Sequence, residues 1–149
     1  MAEITVRTYN IPAVRENDSR YDTEYRRSPK WNPTTGDFER DARYSVQEAD
    51  GHDGYKTWCG KMAQTERFEC LGYRGVIGDQ LGTELETAMK YASDHATVES
   101  MMRRTITEAL MTNPRTISVG NFEFDWKEDS LNGSCVVQAR EMDEFTLEF

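Results

Sequence analysis

Cysteine is scarce and odd in number: Cys59, Cys70 and Cys135 are the only three in 149 residues. No two of them have metal-ligand spacing, and a disulfide framework calls for an even set. Such usage fits folding in a reducing compartment, with each thiol serving as a small buried hydrophobe. Apolar residues are also few, at 37% of the chain with a mean hydropathy of −0.80. No run approaches the roughly 18 apolar residues of a membrane span, and no charged-then-apolar stretch opens the chain as a cleaved signal would. Positive charge is in deficit, with 18 basic against 27 acidic residues and a net charge of −9. That average repels a phosphate backbone, so nucleic acid is not an expected partner. Histidine is limited to His52 and His95, both in expected loops, and no Ser or Cys has a nucleophile's context. Glycoside hydrolysis needs two carboxylates about 5–9.5 Å apart, one with a raised pKa. The acidic residues are numerous, but no spacing selects such a pair. The chain is therefore read as a non-enzyme without cofactor or metal.

The length suits one domain, large enough to bury a core. Residues 1–29 read as an extended N-terminal arm, with a short strand at Ile4-Thr5-Val6 and a charged run from Arg15 to Arg27. Such composition buries little by itself. Tyr21 and Tyr25 suit an arm that orders on a neighbour. Residues 30–149 read as a single α+β domain: about three helices packed with a small antiparallel sheet. Asn32-Pro33-Thr34-Thr35-Gly36-Asp37 is turn chemistry, and Phe38 to Val46 reads as an extended segment. A first helix is expected from Asp53 to Ala63, with Tyr55, Trp58, Cys59 and Met62 on one face. Phe68, Leu71 and Tyr73 are buried candidates, and Gly72, Gly75 and Gly78 mark a loop. Thr83-Glu84-Leu85-Glu86 has the capping-box pattern for a second helix, which ends around Ser93 to His95. A third helix runs from Val98 to Met111, capped by Thr97, with Val98, Met102, Ile106, Ala109 and Leu110 as its stripe.

Asn113-Pro114-Arg115 stops that helix, because proline disfavours helical geometry before it. Alternating sequence follows. Ile117 and Val119 share one parity; Phe122, Phe124 and Trp126 share the other. Gly120-Asn121 is the place for the bulge that reconciles them. Asn132-Gly133 signals a hairpin turn, after which Cys135, Val137 and Ala139 return along Phe122 to Trp126. The chain turns again at Glu141 to Glu144 and finishes on Phe145, Leu147 and Phe149. An alternating strand at a sheet edge is where a partner's strand adds. Arg115 carries a rigid donor fork suited to carboxylates and carbonyls, and Glu66 and Arg67 are read as internal struts.

In order and spacing these residues resemble the sheath-initiator proteins of contractile phage tails, most closely the branch from phages and defective prophages of Gram-positive bacteria. The similarity runs over about residues 30–149. It is carried by Trp31 to Phe38, the helix with Trp58, Thr65-Glu66-Arg67, Gly82 and Glu84, Asn113-Pro114-Arg115, and Phe122 with Phe124. The wider family has Glu-Pro-Arg at the helix-strand junction; this chain has Asn113 at the Glu position and keeps Pro114 and Arg115. The resemblance implies a structural part of a virion tail baseplate, assembled in the host cytoplasm, with several copies in a ring around the tube. Its implied partners are the tail sheath protein, the wedge proteins and the hub or tube-initiator proteins. Asn113, Pro114 and Arg115 would meet the wedge or hub. Val136, Val137, Phe145, Leu147 and Phe149 would share strands with the sheath. The alternatives are another tail part, such as a tail-completion protein, or a tail-associated lysozyme.

Overall fold

The computed structural model describes residues 23–69, 81–128 and 130–149. The expectations at Ile4 to Val6, Tyr21, Leu71, Tyr73, Gly72, Gly75 and Gly78 lie outside the described residues. In chain order the described elements are β1 (Ser28–Pro29), β2 (Trp31–Asn32), β3 (Asp37–Phe38), β4 (Glu48–Ala49), α1 (Gly51–Gln64), α2 (Leu85–Tyr91), α3 (His95–Met111), β5 (Thr116–Lys127), β6 (Ser130–Ala139) and β7 (Phe145–Glu148). Strands β5, β6 and β7 form one antiparallel sheet in that order; β1 pairs with β4 and β2 with β3. Helix α1 lies against α3 and β7, α3 against β5, and α2 against α3. The architecture is α+β, as read from the sequence.

The helix starts differ from the sequence expectation, for local reasons. Asp50, not Asp53, opens α1: its carboxylate accepts from the Asp53 amide at 2.8 Å. Likewise Asp94, not Thr97, opens α3 by accepting from the Thr97 amide at 2.8 Å. In each case an earlier acidic residue takes the amide of the residue three on, as an N-cap does. The capping box at Thr83 does not form. The Thr83 hydroxyl donates to the Ala63 carbonyl at 2.9 Å, and α2 has no cap from its own Glu84. Glu66 serves α2 instead, accepting from the Glu86 amide at 3.0 Å and the Thr87 hydroxyl at 3.1 Å. Arg67 donates twice to the Gly82 carbonyl, at 3.2 and 3.0 Å. Glu66 and Arg67 are thus internal struts, as expected. Phe68 is not buried; it is 46% exposed at a φ of +72°. Nor is Phe38 to Val46 one extended segment: Asp41 accepts from the amides of Arg43 and Ser45 and folds it back, with Arg40 bridging Val46.

The sheet carries the bulge expected at Gly120-Asn121. Gly120 pairs with Val136 and Glu123 with Ser134, which leaves one extra residue on β5, and Asn121 has a φ of +50°. A second irregularity falls between Thr116 and Ser118. The turn expected at Asn132-Gly133 is not there. The hairpin closes where Lys127 pairs with Ser130, while Asn132 and Gly133 sit inside β6 opposite Asp125 and Phe124. Gly133 is explained by Phe149: a Cβ on Gly133 would stand 2.2 Å from the Phe149 ring. The ring takes the place of the missing side chain.

The core joins Tyr55, Cys59, Met62 and Ala63 of α1 to Ile106, Ala109 and Leu110 of α3, and to Cys135, Val137, Ala139 and Leu147 of the sheet. The expected α3 stripe is buried in full. Gly60 sits in the interior of α1, where Gly costs about 1 kcal/mol relative to Ala. Burial pushes the Cys59 thiol up to about 12 and the Cys135 thiol up to about 11. The thiolate is the reactive form. Both residues should therefore resist iodoacetamide at mildly alkaline pH until denaturant unfolds the chain, as read by peptide mass spectrometry. Rapid labelling of either in native buffer would contradict this packing.

Candidate functional site

Two surfaces carry the residues singled out by the sequence. The first is the helix-strand junction, where Asn113, Pro114 and Arg115 come together. The Asn113 side chain accepts from the Arg115 amide at 3.0 Å, and the Thr116 amide donates to the Asn113 carbonyl at 3.0 Å. These bonds turn the chain from α3 into β5. Beneath the turn, the Thr116 hydroxyl donates to the Leu110 carbonyl at 2.7 Å and receives the Tyr55 hydroxyl at 2.8 Å. Desolvation raises the Tyr55 pKa, so Tyr55 stays a neutral donor. The junction is thus pinned from inside by a buried hydroxyl pair.

On the outside, the Arg115 fork is engaged. Its Nε and Nη2 both donate to the Glu24 carbonyl, the Nε bond at 2.9 Å. Its Nη1 reaches Asn113 Oδ1 at 3.5 Å. The next residue, Tyr25, donates its hydroxyl to the Arg140 carbonyl and sets its ring edge-on to His52 and Tyr55. Arg140 closes the junction by donating from its amide to the Arg115 carbonyl at 2.9 Å and from Nε to the Pro114 carbonyl at 3.1 Å. Gly51 and Gly54 make room for this stretch. A Cβ on Gly51 would lie 2.5 Å from Tyr25 Cβ, and one on Gly54 would lie 2.9 Å from Ser28 Cβ. The sequence reading found Arg115 by its fork but missed Glu24 and Arg140, which act through backbone carbonyls that carry no sequence signal.

The second surface is the β7 edge. Among the described residues, no strand pairs with the far side of β7. Gly133 and Phe149 exchange both backbone hydrogen bonds, at 3.0 and 2.9 Å. In an antiparallel ladder such pairs alternate. With Cys135 opposite Leu147 and Val137 opposite Phe145, the backbone groups of Phe145, Leu147 and Phe149 turn toward β6. Those of Thr146 and Glu148 turn outward. The Leu147 side chain is buried in the core, with Phe145 and Phe149 packed half-buried against it. Outside the edge runs a groove of about 570 Å³, lined by Phe145 to Glu148, by Lys56, Thr57, Gly60, Lys61 and Gln64 of α1, and by Trp31 and Pro33. Lys61 holds its ammonium 3.8 Å from the centre of the Trp31 ring.

Val136 and Val137 stand elsewhere. They belong to β6, the central strand, whose backbone is paired on both sides. Val137 is fully buried and Val136 half-buried on the opposite face. Neither has backbone hydrogen bonding left to share while the sheet is intact; the backbone groups turned outward along the β7 edge are those of Thr146 and Glu148. The opposite edge, β5, is broken by its two irregularities, a common way to blunt an edge.

No cluster of His, Cys, Asp and Glu among the described residues has the arrangement of a metal site. No helix among them is long and apolar enough to cross a membrane. Comparison with curated proteins found no match. The family model for the contractile injection system sheath initiator matches residues 27–143. That span takes in α1 to α3, β5, β6 and the junction, and the chain belongs to the sheath-initiator family of contractile injection systems.

Proposed function

We propose that this chain starts the sheath of a phage tail or tail-like particle, by offering the outer edge of β7 to a strand from a sheath subunit. The observation that carries the reading is the edge left open among the described residues: outward backbone groups at Thr146 and Glu148, beside a groove of about 570 Å³. Adding a strand satisfies those groups while pockets beside the edge read side chains. The junction at Asn113, Pro114 and Arg115, where the chain enters β5 on the other edge of the sheet, holds the wedge or hub proteins. Several copies ring the tube within the virion baseplate, after assembly in the host cytoplasm. The arm expected at residues 1–29 reaches toward a neighbour only ahead of Glu24, because Glu24 to Pro29 is held on the domain itself by Arg115, α1 and β4. The particle is of the kind carried by phages and defective prophages of Gram-positive bacteria. A scaffold working by edge pairing and packing needs no catalytic group, which sets the lysozyme alternative aside.

The test is a particle made without this chain. Electron micrographs should show tubes on baseplates with no sheath, and supplying the chain should restore it. Sheathed tails that fail only to digest peptidoglycan would return the enzyme reading.

The junction gives a second expectation. Arg115→Ala removes the fork that grips the Glu24 carbonyl from a half-buried position outside the core, so the isolated chain should lose only a few degrees of melting temperature. Association with baseplate wedges should fall by a larger factor, and Arg115→Lys should not restore it, because an ammonium lacks the fork. A large drop in melting temperature with unchanged wedge association would make Arg115 an internal strut instead.

A further inference from the structure

Helix α1 contains three glycines, and two are explained by the chain's own packing. Gly51 and Gly54 admit the segment from Tyr25 to Ser28, which any Cβ would strike. Gly60 is different. A Cβ built there meets nothing within 4 Å. Its φ is not positive, so no backbone conformation calls for glycine. It lies in a helix interior, where glycine is the poorest choice after proline. It also lines the groove beside β7, between Lys56 and Lys61 and facing Phe145 to Glu148.

We propose that the space over Gly60 is the seat of a bulky apolar side chain on the sheath strand that adds to β7, and that Lys56 and Lys61 select carboxylates beside it. This rests on the strand-accepting reading above and gives that strand a chemistry. Side chains alternate across a strand, so residues two apart share one face at about 6.6–6.8 Å. The inward face of a strand next to β7 continues the layer of Phe145, Leu147 and Phe149 and meets the flank of α1. Gly60 is the one point on that flank without a side chain. Trp31 and Phe145 supply apolar walls there. The two lysines put positive charge beside the seat in a chain of net charge −9; Lys56 is shared with Asp53 at 3.8 Å and Glu148 also lines the groove, which leaves Lys61 as the main cation offered there. Lys56 also lies 5.8 Å from the Phe145 ring centre, and Lys61 rests on Trp31, so both ammonium groups are held at the groove. The occupant that fits is an acidic strand with one large apolar residue facing inward, belonging to a sheath subunit.

The experiment uses full-length chains supplied to producers that lack the wild-type copy, with sheathed tails counted by electron microscopy. Gly60→Ala should melt higher than the parent as a purified chain, yet start fewer sheaths. Gly60→Leu should remain folded, since its side chain enters open space, and start almost none. Lys56→Glu combined with Lys61→Glu should also cut the count sharply. Thr146→Pro, which blocks the backbone of the same edge, separates the two ideas. If Thr146→Pro stops sheath formation while Gly60→Leu supports it fully, the strand is accepted and the seat over Gly60 is overturned. If both variants start sheaths normally, the strand-accepting reading falls and this one with it. Sedimentation of the purified parent is the last arm: a dimer that Gly60→Leu abolishes would make a second copy the occupant and overturn the assignment to a sheath strand.

Discussion

Thr146→Pro should yield a folded chain, with a melting temperature close to the parent's, that starts no sheath. The Thr146 amide points away from β6, so proline removes no bond of the existing ladder. Edge strands with the amide turned to solvent are where sheets tolerate proline. Phe145, which precedes it, is already extended, the conformation that proline requires of its neighbour. An incoming strand loses the hydrogen bond from that amide, about 0.5–1.5 kcal/mol net. It also meets the pyrrolidine ring at the point of closest approach, which opens the bonds on either side. Deleting Phe145 to Phe149 is a poorer experiment. It takes Leu147 from the core and Phe149 from over Gly133, so a failed tail would not separate folding from function. Full-length sheath on tails carrying the Thr146→Pro chain would mean that β7 does not accept a strand.

Leu110→Ala should be the most damaging single core change. Leu110 is fully buried where α3 meets α1 and the sheet. Truncations of this kind cost about 2–5 kcal/mol, the upper part of the range where neighbours cannot collapse into the space. Collapse is hindered here because the Leu110 carbonyl is tied to the Thr116 hydroxyl, which in turn holds Tyr55. Typical domains have about 5–15 kcal/mol of stability in all. At this size each kcal/mol shifts the melting temperature by about 2–4 °C, so a drop of roughly 10 °C is expected by calorimetry. Met111→Ala, next in sequence but 46% exposed, is the matched control and should change little. Equal losses from the two would mean that the helix is packed by another face.

What the sequence made legible was what local chemistry decides. The α3 stripe and the stop at Pro114 were readable because a 3.6-residue period and a missing amide are local facts. The bulge near Gly120-Asn121 was readable because one strand cannot bury both Val119 and Phe122 without an extra residue. The departures came from residues whose role is set far along the chain. Asn132-Gly133 looks like a turn, but Gly133 is small because Phe149 covers it. Thr83 looks like a cap, but its hydroxyl is taken by Ala63 and its duty passes to Glu66. At the candidate site, the alternation at the chain's end pointed to the edge strand. It drew attention to Phe145, Leu147 and Phe149, whose side chains face the core. The outward backbone groups belong to Thr146 and Glu148, between them, and only the ladder's register reveals which residues those are. Val136 and Val137 show the same limit, since strand order placed them in the middle of the sheet.

The most direct measurement is a cryo-electron-microscopy map of the assembled particle before contraction, read at the outer edge of β7. The account predicts a strand from a sheath subunit paired with Thr146 and Glu148 and lying in the groove between β7 and α1. An edge open to solvent in the sheathed particle, or one covered by a helix rather than a strand, would contradict it.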